Sequence, residues 1–210
     1  VNEDAFDPGG HWDARYLATP ATEVSWFEEH ATTSIELIHT VLGGRVLRRR
    51  PATIVDVGGG AGRLVDDLSQ EGHEVAVVDI SAAALEVARA RCPVLQNVSW
   101  VQADVLTWVP ERRWDLWHDR AMLHFLVDPE DRQRYGATLR RAIGAGGGFV
   151  IGGFAEDGPT HCSGLPVHRS SAADLRSVVG DAEVLVERCT THVAPSGATQ
   201  RFRWLAGRLR

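Results

Sequence analysis

Ala52-Thr53-Ile54-Val55-Asp56-Val57-Gly58-Gly59-Gly60-Ala61-Gly62 decides the fold. A β-branched run breaks straight into a segment in which four of five residues are glycine, and Leu64, Val65 and Leu68 follow at helical spacing. The reading is strand, tight turn, helix, with Gly72 placed to close the helix in a left-handed conformation. Glycine lacks the Cβ that would keep a ligand off the backbone, and it enters left-handed turns freely. In an open α/β sheet, ligands bind beyond the carboxyl ends of the strands. The loop is therefore expected to floor a ligand site.

The alternation extends outward. Glu74 to Asp79 carries Val75, Ala76, Val77 and Val78 in a row, which suits a parallel strand buried on both faces. Ser81 is a good N-cap for a helix over 82–91 that ends before Pro93. Val98 to Val101, Trp114 to His118 and Gly147 to Phe154 read as further strands, with a helix over 129–143 between the last two. A helix over 172–179, capped by Ser170 or Ser171, precedes Glu183 to Arg188 and Gln200 to Leu205, which read as a closing hairpin. This order predicts an α/β sheet with an antiparallel edge pair. Residues 51–210 form the expected sheet core and residues 1–50 a helical cover, together one domain over 1–210.

Composition narrows the function. The 210 residues are 44% hydrophobic and 24% charged, with a formal net charge of −6. These values suit one globular domain. All 22 basic residues are arginine. Without lysine there is neither a lysine-bearing phosphate loop nor a lysine Schiff base. An acidic chain with no long basic run is not expected to bind nucleic acid. Arg48, Arg49 and Arg50 form the one tight basic cluster and suit a helix C-terminus. Cys92, Cys162 and Cys189 are odd in number, widely spaced and outside any CxxC pair, so neither a disulfide scaffold nor a metal site is expected. Val1 to Asp7 lacks the features of a signal peptide, and no apolar run nears the ~20 residues of a membrane span. A reduced, cytoplasmic monomer or dimer without a membrane partner is expected.

The glycine spacing separates ligands. A dinucleotide fingerprint needs glycine at the first, third and sixth positions, but the sixth from Gly58 is Arg63. Asp56, two residues before the loop, would repel a pyrophosphate and suits a ligand bearing an ammonium or sulfonium. Asp79 ends its strand with two oxygens for two ribose hydroxyls. Asp104 follows the next strand, where a carboxylate can accept from the amino group of adenine.

Residues 56–62, the Asp79 strand end, Ala103-Asp104-Val105 and the strand after Gly146-Gly147-Gly148 resemble class I S-adenosylmethionine-dependent methyltransferases over residues 11 to 205. The resemblance implies a Rossmann-like doubly wound, mostly parallel seven-stranded sheet with an antiparallel edge hairpin and an N-terminal helical lid. It implies S-adenosylmethionine as cofactor, with its methionyl part on Gly58, Gly59 and Gly60 beside Asp56, its ribose on Asp79 and Ile80, and its adenine on Asp104 and Val105. His11 to Tyr16 and Trp26-Phe27 resemble the lid, from which Arg15 or Tyr16 would reach the cofactor carboxylate.

Trp117-His118-Asp119-Arg120 ends the fourth strand, on the edge facing the transferred methyl. His118 is the expected cofactor contact or base. Asp119 is the second candidate base, or the anchor of a cationic acceptor, since this stretch also resembles lysine methyltransferases of the same fold. Arg120 and His124 stand four apart on a predicted helix and would share a face, which makes His124 an acceptor-binding candidate. Residues 157–169 form a turn-rich loop on the same edge, where Cys162 and His168 are candidates for acceptor recognition. The expected activity is methyl transfer from S-adenosylmethionine to a small molecule or a protein side chain. A cofactor-binding regulatory protein without turnover is the alternative.

Overall fold

The structure, a computed structural model, describes residues 6–43, 51–92 and 96–210, so the Arg48 to Arg50 cluster and Pro93 lie outside the described residues. Five strands are parallel: β1 (Thr53–Val57), β2 (Glu74–Asp79), β3 (Val98–Gln102), β4 (Leu116–Arg120) and β5 (Gly148–Phe154). A small separate hairpin, β6 (His161–Cys162) and β7 (Leu165–Pro166), precedes β8 (Ala182–Val193) and β9 (Thr199–Leu209). The seven-stranded sheet has the order β3-β2-β1-β4-β5-β9-β8, with β9 antiparallel to both neighbours. The chain winds outward from β1 to β3, then returns to β4 on the other side of β1. The reversal leaves a crevice at the carboxyl ends of β1 and β4, the topological switch point where open α/β sheets take ligands.

Among the described residues six α-helices flank the sheet: α1 (Pro8–Ala18), α2 (Thr32–Leu42), α3 (Leu64–Gln70), α4 (Ala82–Arg91), α5 (Pro129–Ile143) and α6 (Ala172–Val179). Successive strand residues face opposite sides. On one side Leu37, Ile38 and Val41 of α2, Leu64 and Leu68 of α3 and Leu85 of α4 pack with Ile54, Leu116 and Val150. On the other, Tyr135, Leu139 and Ile143 of α5 and Leu175 and Val179 of α6 pack with Val55, Trp117, Phe149 and Ile151. Each such side chain contributes ~1.5–3 kcal/mol on burial. With both faces covered, the central strands have no solvent side, which accounts for the unbroken apolar run of β2.

The helix starts follow local chemistry. Ser81 Oγ accepts from Ala84 N at 3.0 Å, and Ser171 with Asp174 forms a reciprocal capping box on α6. Three sequence expectations need correction. The fourth strand runs Leu116–Arg120 rather than 114–118, because the Trp114 N–H is held by Ala142 O at 2.8 Å, ahead of the ladder. Arg120 and His124 share no helix face: Arg120 ends β4, Ala121 takes a positive φ of 74°, and His124 lies in a 3₁₀ turn over Leu123–Phe125. The closing hairpin strands are also longer than the apolar runs suggested. Among the described residues no helix is long and apolar enough to cross a membrane, and no group of three or more His, Cys, Asp or Glu is placed to hold a metal.

Candidate active site

The crevice holds two adjoining clefts that share Tyr16, Trp26, Gly58 and Arg120. The larger, about 300 Å³, runs from Asp79, Ile80, Asp104 and Val105 to Met122, His124, Phe125, Phe154, Cys162, Gln200 and Phe202. The smaller, about 70 Å³, is lined by Asp56, Gly58, Gly59 and His118 under residues of the N-terminal segment.

The glycine loop is tight for a visible reason. Gly58 has φ +66° and Gly60 φ +48°, and a Cβ at Gly58 would lie 2.5 Å from Met122 Cβ. At Gly60 it would lie 2.5 Å from the Tyr16 hydroxyl. The Tyr16 phenol is pushed up by burial and then by the charge of Asp79. α1 is itself tied down, since Asp13 Oδ1 accepts from Ser81 Oγ at 2.7 Å and from Ala83 N at 3.0 Å.

Asp79 lies half-buried at the end of β2, with Oδ1 accepting from Ser81 N at 2.8 Å. Burial pushes its pKa up to about 6, against the hydrogen bonds from the Ser81 and Gly60 amides and aided by the charges of Asp56 and Asp13. Asp104 closes a turn through Oδ1, which accepts from Leu106 N at 2.9 Å. Asp79, Ile80, Asp104 and Val105 thus stand on one wall.

His118 is a tie between elements. Its Nδ1 donates to Asp56 Oδ1 at 2.7 Å and its Nε2 pairs with Ser34 Oγ of α2 at 2.9 Å. With both ring nitrogens engaged and the residue 2% exposed, His118 braces the loop from beneath while lining the smaller cleft beside Asp56, which suits the cofactor contact expected of it better than the base. Asp119 is corrected more sharply. One residue on in the strand, it faces α5 and lines neither cleft, where it accepts from Met122 N at 2.9 Å, Leu123 N at 3.1 Å and Tyr135 Oη at 2.8 Å. Burial raises its pKa to about 6 against those donors. It can meet no acceptor ammonium there.

Arg120, back on the cleft side, clasps the N-terminal segment. It donates to Trp26 O at 2.8 Å and to Glu28 Oε1 at 2.9 Å, and lies over the Phe202 ring at 5.0 Å. Burial opposes the charge of Glu28, but His192 and Arg120 outweigh it and hold the carboxyl below its usual range. His192 also bonds Ser25 O at 2.9 Å, so β4, β8 and residues 25–28 are fastened at one point.

His124 lines the larger cleft at 1% exposure, its ring 4.4 Å from both Phe125 and Phe154. Burial, then the charge of Arg120, drops its pKa to about 3. Neither ring nitrogen has a hydrogen-bond partner among the described residues. Cys162 lines the same cleft, with its thiol raised by burial. His168 does not: its ring lies 3.9 Å from Asp174 of α6, and only its backbone N–H reaches the site, donating to His124 O at 2.7 Å. Arg15 also lines neither cleft. Sequence reasoning placed Trp12 and Trp26 in the lid but missed Glu28, Phe154, Gln200 and Phe202 as site residues. A period of two in β9, with Gln200 and Phe202 on one face, was the available signal for the last pair.

Residues 54–147 match the methyltransferase domain family. A trans-aconitate 2-methyltransferase of Methylobacterium radiotolerans is 33% identical over 111 residues, covering 52% of this chain and 40% of the relative. Nodulation protein S of Rhizobium tropici is 27% identical over 137 residues, 65% of this chain and 56% of the relative. The chain therefore spans about half the length of these curated relatives. Among solved structures, a SAM-dependent methyltransferase from Anabaena variabilis superposes with a TM-score of 0.74 at 19% identity, covering 100% of this chain and 98% of that one, a likeness of fold. The β3-β2-β1-β4-β5-β9-β8 sheet with its glycine loop after β1 is thus the fold of that methyltransferase, and the segment 54–147 that carries the loop is the part similar to the methyltransferase domain family.

Proposed function

We propose that the chain is an S-adenosylmethionine-dependent methyltransferase acting on a small molecule. The observation that carries this is one crevice with two unlike ends. At one end stand a backbone cradle at Gly58 and the Asp79 and Asp104 carboxylates; at the other is a chamber walled by aromatic rings. The residues present fit the cofactor: Asp79 and Ile80 would hold the ribose, Asp104 and Val105 the adenine, and Gly58 to Gly60 the methionyl part. Asp56, braced by His118, sets a negative charge beneath that part. Tyr16 from the lid closes over Gly60, while Arg15 would have to swing inward to reach the carboxylate. Bound there, S-adenosylmethionine would supply an electrophilic methyl on a positive sulfur. The protein's share is orientation and exclusion of water.

The enclosure favours a small acceptor over a protein side chain. Trp12 packs edge-on against Trp26 and Phe125 at centroid distances of 5.8 and 4.9 Å, closing the chamber from above. Relatives named for trans-aconitate support the same choice.

Calorimetric titration tests the reading. S-adenosylmethionine and S-adenosylhomocysteine are expected to bind, and nicotinamide dinucleotides are not; the reverse order would overturn it. The titration should also depend on pH through Asp79. Its pKa near 6 is raised, so the free protein takes up a proton as pH falls through 6. The ionised form is the one that accepts from ribose hydroxyls, so affinity is full above that value and lost below it. From pH 8 to pH 5 the dissociation constant should rise roughly tenfold. A flat profile would place the ribose on another group.

A further inference from the structure

The acceptor half of the cleft has a chemistry of its own. Trp12, Trp26, Phe125, Phe154 and Phe202 line it, so its walls suit a flat ring. The charged residues lining the cleft as a whole are Asp79, Asp104, Asp131 and Arg120, and the first two stand at the cofactor end. Three are carboxylates, and the one cation is already matched to Glu28 at 2.9 Å. Among the described lining residues no unmatched cation is left to pair an anionic acceptor. A cationic one would meet the Arg120 guanidinium and the positive sulfur together. The remaining polar equipment is His124, both of whose buried ring nitrogens lack partners, and Gln200, 7% exposed with Oε1 also unpartnered among the described residues. A buried acceptor atom left unpaired is costly, so a site of this kind selects a ligand that brings a donor.

Resting on the methyl-transfer reading above, we propose that the acceptor is an uncharged planar ring compound bearing an O–H or N–H, docked with that donor on His124 and Gln200. His124, kept neutral by burial and by Arg120, presents a lone pair across the physiological range. In the transfer the donor atom's lone pair would bond the methyl as the C–S pair stays on sulfur, and the proton would pass by way of His124 to water, so that an oxygen or ring nitrogen once methylated has no hydrogen left for His124. Product would then bind more weakly than acceptor.

The test uses protein saturated with S-adenosylhomocysteine and measures ring binding by saturation-transfer NMR. 2-Naphthol is the donor-bearing probe and 2-methoxynaphthalene the same ring without the donor; trans-aconitate and putrescine are the anionic and cationic controls. The expected result is binding of 2-naphthol, roughly tenfold or more weaker binding of its ether, and little of either control. His124→Phe fills the chamber with no buried polar atom, so it should fold, keep its S-adenosylhomocysteine affinity and lose the distinction between naphthol and ether. His124→Gln, which restores an acceptor, should recover part of it. Preference for trans-aconitate or putrescine, equal binding of naphthol and ether, no ring binding, or a His124→Phe variant that still discriminates would each overturn the proposal. Failure to bind S-adenosylhomocysteine at all would instead overturn the methyl-transfer reading beneath it.

Discussion

Asp79→Ala is expected to weaken S-adenosylhomocysteine binding by about 3–6 kcal/mol, two to four powers of ten, measured calorimetrically at pH 8. At that pH the carboxylate is ionised, since its pKa lies near 6. Each charge-assisted hydrogen bond is worth ~1.5–3 kcal/mol, and a ribose held through both hydroxyls loses two of them. The variant also strands the Ser81 amide that Asp79 Oδ1 receives at 2.8 Å, so a modest fall in melting temperature should accompany the binding loss. Asp79→Asn keeps the shape and should fall between alanine and the native residue. An unchanged dissociation constant in the alanine variant would move the ribose elsewhere.

Asp119→Ala should act on the fold rather than on any ligand. The carboxylate is 0% exposed and accepts from two backbone amides and the Tyr135 hydroxyl, which in turn accepts from Trp117 Nε1 at 2.8 Å. Those amides belong to the turn that contains Ala121 at φ 74°, a conformation that costs a non-glycine residue ~1–2 kcal/mol. Removing the carboxylate leaves three buried donors unpaired and frees the strained turn. A loss of about 3–5 kcal/mol is expected, a melting shift of roughly 10 °C. Affinity of the remaining folded protein for S-adenosylhomocysteine should fall less than in Asp79→Ala, because Asp119 itself lines neither cleft and acts only through the turn that brings Ala121 and Met122 into the larger one. A variant with native stability and a raised Michaelis constant for its acceptor would reinstate the role expected from sequence.

The contrast between these aspartates shows how far the chain could be read unaided. Asp79 was legible because strand, polar end and Ser-capped helix are local features. At Asp119 the same reasoning failed by one residue. Whether a strand-end side chain enters the crevice depends on its parity, and parity acquires meaning only when α2 covers one face and α5 the other. His118 and Arg120 share the α2 side and Asp119 does not.

What the sequence alone determined is everything that follows from periodicity and local backbone chemistry: the β–α alternation, the Ser81 cap and a cap at Ser170 or Ser171, the glycine loop after β1 and the acidic residues at the strand ends. Only the tertiary structure decided which of those residues meet. The acceptor chamber draws Trp12 and Trp26 from the N-terminal segment, His124 from a 3₁₀ turn, Phe154 from β5, and Gln200 and Phe202 from β9. No local pattern joins segments that far apart. They converge because β9 inserts antiparallel beside β5 and because Arg120, Glu28 and His192 fasten residues 25–28 over the sheet edge, contacts set by strand order and buried charge pairing rather than by neighbours in the chain.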